Sequence, residues 1–306
     1  MSRRSLFLLS PLVVATCLAT DALGAQRVFV RSNGADSGIC TLNAPCRSFT
    51  FAMTQVDPGG EIIALDAAGY GTVIIDKSVT IATNPGFFAG ISASTGTAIT
   101  IATGGVDVVL RGLNVNGLGA TTGISMTAGS SLTVENCVVS GFSANGIVVN
   151  APADVRILDT TVRGNGVEIE ADGIRIMGGA FATLNNVRMS NNTASGLAVL
   201  DGGDVTTIAI VTDSDSSGNS GNGFGATTIS TGAARLSIRE SSASGNFYGV
   251  YSGSAVNAQV SIGNSTVVGN TVGLFNLGAV LETYGNNLIR YNAATSSGTI
   301  TPVIGQ

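Results

Sequence analysis

Three carboxylates stand on alternate residues in the stretch NGVEIEADGIR, residues 165–175: Glu168, Glu170 and Asp172. In an extended segment alternate side chains share one face. The three would then present hard oxygen donors of the kind that hold Ca²⁺. Arg163 and Arg175 flank the patch. The plainer reading of the same residues is a solvated, charge-balanced loop, because no second acidic cluster clearly faces this one. A second group is aromatic. Phe247, Tyr248, Tyr251 and Tyr291 fall close to the C-terminal end, where exposed rings could stack on sugar faces. Tyr248, Tyr251 and Tyr291 are the binding candidates among them. Aromatic residues make up only 5% of the chain, so any such platform is local.

Other chemistries are removed by what the chain lacks. It has no histidine, which excludes Ser-His-Asp and Cys-His nucleophilic mechanisms and the usual zinc sites. Glycine supplies 42 of 306 residues, so G-x-G patterns such as Gly221–Gly225 arise freely and carry no phosphate-loop meaning. The formal charge is −5 and the arginines form no run, which argues against a nucleic-acid partner.

Residues 1–25 read as a signal peptide. Arg3 and Arg4 precede an apolar run from Leu6 to Leu18, and Ala22, Gly24 and Ala25 offer small residues for cleavage. That run is too short to span a membrane comfortably, so the mature chain is expected to be exported without a transmembrane segment. Cys40 and Cys46 enclose the turn-rich TLNAP, and an oxidising compartment favours a disulfide between them. Cys137 is left over and shares a small-residue column with Thr160, Ser214 and Ser241, so it reads as a buried structural thiol.

The elements that must carry these residues come from a repeat. An acidic or amide residue is followed six positions later by asparagine in Asp159/Asn165, Asn186/Asn192, Asp213/Asn219, Glu240/Asn246, Asn264/Asn270 and Asn286/Asn292. Glycines at 123, 146, 173, 196, 223, 249 and 273 each open a Gly-apolar-x-apolar strand. Ile124, Ile147, Ile174, Leu197, Phe224, Val250 and Leu274 thereby form one apolar column. A second column runs through Ile157, Leu184, Val211, Ile238 and Ile262 to Tyr284, which reads as a core plug. A period near 25 residues with columns of like residues indicates short strands stacked coil on coil. No coil can bury its inward face alone, so neighbours must stack. The fold is therefore all-β: a single right-handed parallel β-helix of about 9–10 coils, on the order of 45 Å long at about 4.8 Å per coil.

Within it, residues 26–60 form an N-terminal cap holding the cysteine loop and a short helix over 47–56. Residues 61–292 are the repeats, and 293–306 a C-terminal tail or cover. Asn165, Asn192, Asn219, Asn246, Asn270 and Asn292 read as a structural ladder, since stacked amides can bond from coil to coil. Their acidic and amide partners read as a second turn ladder.

The repeats, together with the opening CTLNAPCRSFTFAMTQVDPGGEIIALDAAGYG, resemble exported bacterial right-handed parallel β-helix proteins of the pectin-lyase-like fold. The resemblance covers nearly all of the chain past residue 25. It is specific for architecture, because one scaffold of this kind carries many activities. Polygalacturonase-like members carry Gly-His-Gly and alginate-epimerase-like members Asp-Pro-His-Asp, which a chain without histidine cannot contain. Pectate-lyase-like members use carboxylates for calcium and an arginine or lysine as base. The resemblance thus implies an exported, non-catalytic β-helix protein engaging extracellular or cell-surface polysaccharide, with no cofactor required. One alternative is a calcium-assisted uronate lyase in which Glu168, Glu170 and Asp172 hold Ca²⁺ and Arg163 or Arg175 acts as base. The other is a structural or adhesive module for a protein partner.

Overall fold

The structure, a computed structural model, describes residues 26–167, 171–253 and 257–303. The signal segment and two of the three clustered carboxylates, Glu168 and Glu170, lie outside the described residues. The chain winds as a parallel β-helix whose strands fall into three sheets of twelve, ten and ten strands, visited in turn by each coil. In one coil the chain runs through Asp154–Leu158 in the first sheet, Thr161–Arg163 in the second and Ile174–Met177 in the third. Every pairing between these strands is parallel and joins adjacent coils. No helix among the described residues is long and apolar enough to cross a membrane.

The predicted columns are the core. Ile124, Ile147, Ile174, Leu197, Phe224, Val250 and Leu274 pair in unbroken register along the third sheet and are buried. Ile157, Leu184, Val211, Ile238 and Ile262 do the same in the first sheet. Full burial of one such side chain stabilises by about 1.5–3 kcal/mol.

Tyr284 departs from this pattern. Thr283, not Tyr284, faces Ile262, while Leu288 pairs with Thr266. The last coil therefore has one more residue at this corner than the coil before it. That extra residue turns Tyr284 outward, where its ring lies over Gly263. It covers a glycine from outside rather than plugging the core.

The two polar columns divide the work of turning. The asparagine ladder is buried from Asn165 to Asn270. Asn192 Oδ1 accepts from both the backbone N–H of Asn165 at 3.1 Å and its Nδ2 at 3.0 Å. Asn192 bonds to Asn219 in the same way, Asn219 to Asn246, Asn246 to Asn270 and Asn270 to Asn292. The spare Nδ2 hydrogen reaches a carbonyl in the preceding coil, as from Asn246 to Ser216 O at 2.9 Å. All four valences of each inner amide are thereby used. The left-handed backbone falls on the other column: Asp159, Asn186, Asp213, Glu240 and Asn264 have φ between 49° and 53°.

The glycine column is the other half of the ladder. A Cβ on Gly173 would sit 2.6 Å from Asn192 Nδ2, and one on Gly249 would sit 2.8 Å from Asn270 Nδ2. Glycine stands there because the amide of the next coil fills the space of a side chain.

At the N-terminal end, Arg27–Val30 opens the first sheet. Cys40 and Cys46 are disulfide-bonded with a Cα separation of 4.9 Å. Ser48 caps the helix Phe49–Gln55, accepting from Phe51 N–H, and Asp36 accepts from the N–H groups of Arg47 and Ser48. Lys77, the only lysine, donates to the carbonyls of Met53 and Val56 that the helix end leaves open. At the other end, Ala294–Ser297 and Thr301–Val303 continue the third and first sheets, so the tail is one more winding.

Cys137 takes its place in a hydroxyl ladder. Its Sγ accepts from Leu113 N–H at 3.4 Å, as Ser214 Oγ accepts from Val187 N–H at 3.1 Å. Burial pushes its thiol up to about 11, so it stays protonated.

Replacing Asn219 by alanine should orphan two donors of Asn192 and one carbonyl of Met189. We expect a loss of about 3 kcal/mol at roughly 1 kcal/mol per orphaned group, read by chemical denaturation. Cys137→Ser should change stability by less than about 1 kcal/mol, because serine already fills the same column in later coils.

Candidate functional site

Of the three expected carboxylates, only Asp172 lies among the described residues. Asp172 points inward and is buried. Its Oδ2 is 2.7 Å from Arg175 Nε, and its Oδ1 accepts from Ser195 N–H at 2.9 Å. Asp172 is a rung in a further side-chain ladder: its own N–H donates to Asn145 Oδ1 at 2.8 Å, and one coil on Asn222 Nδ2 donates to Ser195 Oγ. A cation drawn to this loop would therefore compete with Arg175 for Asp172. Burial raises the Asp172 carboxyl above its ordinary range, and Arg175 with the Ser195 bonds offsets only part of that shift. Arg163 is exposed on the second sheet, whereas Arg175 lies on the third. The two arginines are set on different faces.

The aromatic candidates do assemble. Tyr248 and Phe275 stack at 4.3 Å with planes 7° apart. Tyr251 lies 5.7 Å from each of them, and Phe247 meets Tyr248 edge-on at 4.7 Å. Burial pushes the Tyr251 hydroxyl upward, with Tyr248 adding to the shift. Phe275 completes the group through strand register with Tyr251, which spacing alone did not show. Tyr291 stands apart on a turn, 89% exposed, with φ of 58° where Gly245 and Gly269 sit in earlier coils.

A concavity rich in polar side chains lies elsewhere, at the corner between the first and second sheets. Two adjoining hollows of about 480 and 510 Å³ share Glu240 and Asn264. One runs past Arg188, Asp213 and Asp215; the other ends against Tyr284 and Asn286. The geometry follows from the left-handed bends, whose side chains are exposed at each coil. Asp215 stands in register with Arg188, and its carboxylate accepts from the hydroxyls of Ser217 and Ser242. Asn264 Nδ2 reaches Glu240 Oε1 at 3.4 Å, and Asn286 Oδ1 accepts from Asn264 N–H at 2.8 Å. Arg188 and Arg239 make no ion pair among the described residues. The sequence shows these residues as turn formers. It does not show that an extra residue in the last coil would swing Tyr284 out to close the groove.

A family model described as the right handed beta helix region matches residues 62–209 and 122–294. Among solved structures, the pectate lyase Pel9A superposes with a TM-score of 0.65 at 17% identity, covering 91% of this chain and 80% of that one. XylC in complex with xylose superposes with a TM-score of 0.54 at 9% identity, covering 80% of this chain and 69% of that one. No curated protein matches the sequence.

Asp172 carries the clearest pH signature. Its folded carboxyl titrates above the unfolded value of about 3.9, so its contribution is fully present below that pH and is lost as pH rises through the folded pKa. The stability lost in Asp172→Asn should therefore be larger at pH 4 than at pH 7. Denaturation at the two pH values checks the sign.

Proposed function

Because the chain belongs to the right-handed β-helix family, whose model covers most of its length, we propose that it is an exported, non-catalytic protein that holds extracellular or cell-surface polysaccharide along its flank. The observation that carries this reading is the groove from Arg188 to Tyr284. It is open and concave, and it offers hydroxyl, amide, carboxylate and guanidinium groups within a few coils. A saccharide chain presents alternating hydroxyls and ring faces, and a groove of hydrogen-bonding groups closed by one aromatic ring suits that pattern. Pel9A by name is a pectate lyase and XylC is bound to xylose, so the same scaffold elsewhere meets carbohydrate. The disulfide between Cys40 and Cys46 supports export to an oxidising compartment.

A second reading, a uronate polysaccharide lyase, draws on the same groove. Asp213, Asp215 and Glu240 line it with Arg188 and Arg239 beside them, although no three carboxylates among the described residues stand close enough to hold a metal ion together. Such an enzyme would remove the proton next to the uronate carboxyl and expel the glycosidic oxygen, leaving a carbon–carbon double bond that absorbs in the ultraviolet.

Glycan-array binding of the purified protein tests the first reading. Arg188→Ala and Tyr284→Ala should each weaken the bound glycan by at least about tenfold, the effect of about 1.4 kcal/mol, with melting unchanged. No binding across neutral and acidic glycans would overturn it. Absorbance of unsaturated product from uronate polysaccharides with millimolar calcium would replace it with the lyase reading.

A further inference from the structure

The three outer faces differ in a way that the groove does not explain. The first sheet carries Asp107, Arg111, Glu135, Arg156, Arg235 and Glu282. The ten strands of the third sheet contain one charged residue, Arg175, and its charge is held by Asp172 at 2.7 Å. An uncharged face this long on a water-facing rod marks an interaction surface.

One outward column runs unbroken along it: Ile74, Thr100, Ser125, Val148, Arg175, Ala198, Gly225, Tyr251, Phe275 and Ser297. Reversed upon itself, the column pairs a large residue with a small one at every position. Ile74 meets Ser297, Phe275 meets Thr100, and Tyr251 meets Ser125. Val148 then meets Gly225, and Arg175 meets Ala198. The stacked rings rise at one end, and threonine and serine leave room at the other. Face-to-face packing of sheets needs this interdigitation.

We propose that this face is where two copies of the chain meet, with the rods antiparallel about a two-fold axis between strands Ile174–Met177 and Leu197–Leu200. A two-fold interface uses the same patch on both copies, so residue i meets j and j meets i. The reversed column satisfies that condition. Parallel rods would instead set Tyr251 against Tyr251 and glycine against glycine. Ten strands about 4.8 Å apart span about 43 Å, and four residues at about 3.3 Å give a width of about 13 Å. Two such faces bury roughly 1,100 Å², above the ~1,000 Å² that a specific interface should clear. The one charge on each side, Arg175, is already held by Asp172 of its own copy at 2.7 Å, so association strands no unpaired ion.

Sedimentation of the purified protein at micromolar concentration should give a dimer. Ala198→Glu, at the centre of the face, should return it to a monomer with unchanged melting, since residue 198 faces solvent in a single copy. Ser125→Glu should act alike and serves if the central variant fails to fold. The double variant Ser125→Cys with Tyr251→Cys should cross-link between copies, whereas Tyr251→Cys alone should not. A monomer at every concentration, a dimer indifferent to both charged variants, or cross-linking by Tyr251→Cys alone would each overturn the proposal. So would a monomer that loses glycan binding on Tyr251→Ala, which would make the face a sugar platform. The groove lies at another corner, so its glycan test and this mass measurement fail independently.

Discussion

The buried ladder amides in this rod draw most of their hydrogen bonds from the neighbouring coils. In an inner rung the oxygen takes two hydrogens from the coil before, and the nitrogen gives one to the coil after and another to a carbonyl of the coil before. An amide buried without those partners would cost about 1–3 kcal/mol per group, so no coil is stable without its neighbours. The opposing glycine is part of the same contact, because any side chain there would occupy the space of the amide. The stacking of coils and the register of the inner columns go with that ladder.

The consequence is a separation of labour between inside and outside. Inward positions are committed to isoleucine, valine, leucine and the ladders, which leaves chemistry to the outer faces and corners. The faces are then free to differ: one charged, one short and rich in hydroxyls beside a groove, one uncharged. Asp172 shows how strict the division is. It stands in a segment that reads as an acidic loop, yet the ladder takes it inward and pairs it with Arg175.

Much of the architecture could be read in the chain because a repeat turns local spacing into tertiary position. The apolar columns, the asparagine ladder, the disulfide and the capping helix were all visible as periodicity or short-range pattern. The left-handed geometry falls on the acidic and amide column rather than on the ladder asparagines. Both columns favour asparagine, and composition cannot say which one bends the backbone. Tyr284 was misplaced for a related reason. A single extra residue in the last coil reverses which side of the strand a position faces, and no spacing rule marks it.

The sequence by itself determined the coil, its period and its core, because each depends on residues repeated at fixed separation. Only the tertiary structure decided which polar residues meet across coils. Tyr248, Tyr251 and Phe275 become one stack, Arg188 and Asp215 become neighbours, and Glu240 and Tyr284 come to line one hollow. The reason is physical: outward side chains do not pack against the core, so nothing in the repeat constrains their identity, and their meaning arises only when the coils are laid one on another.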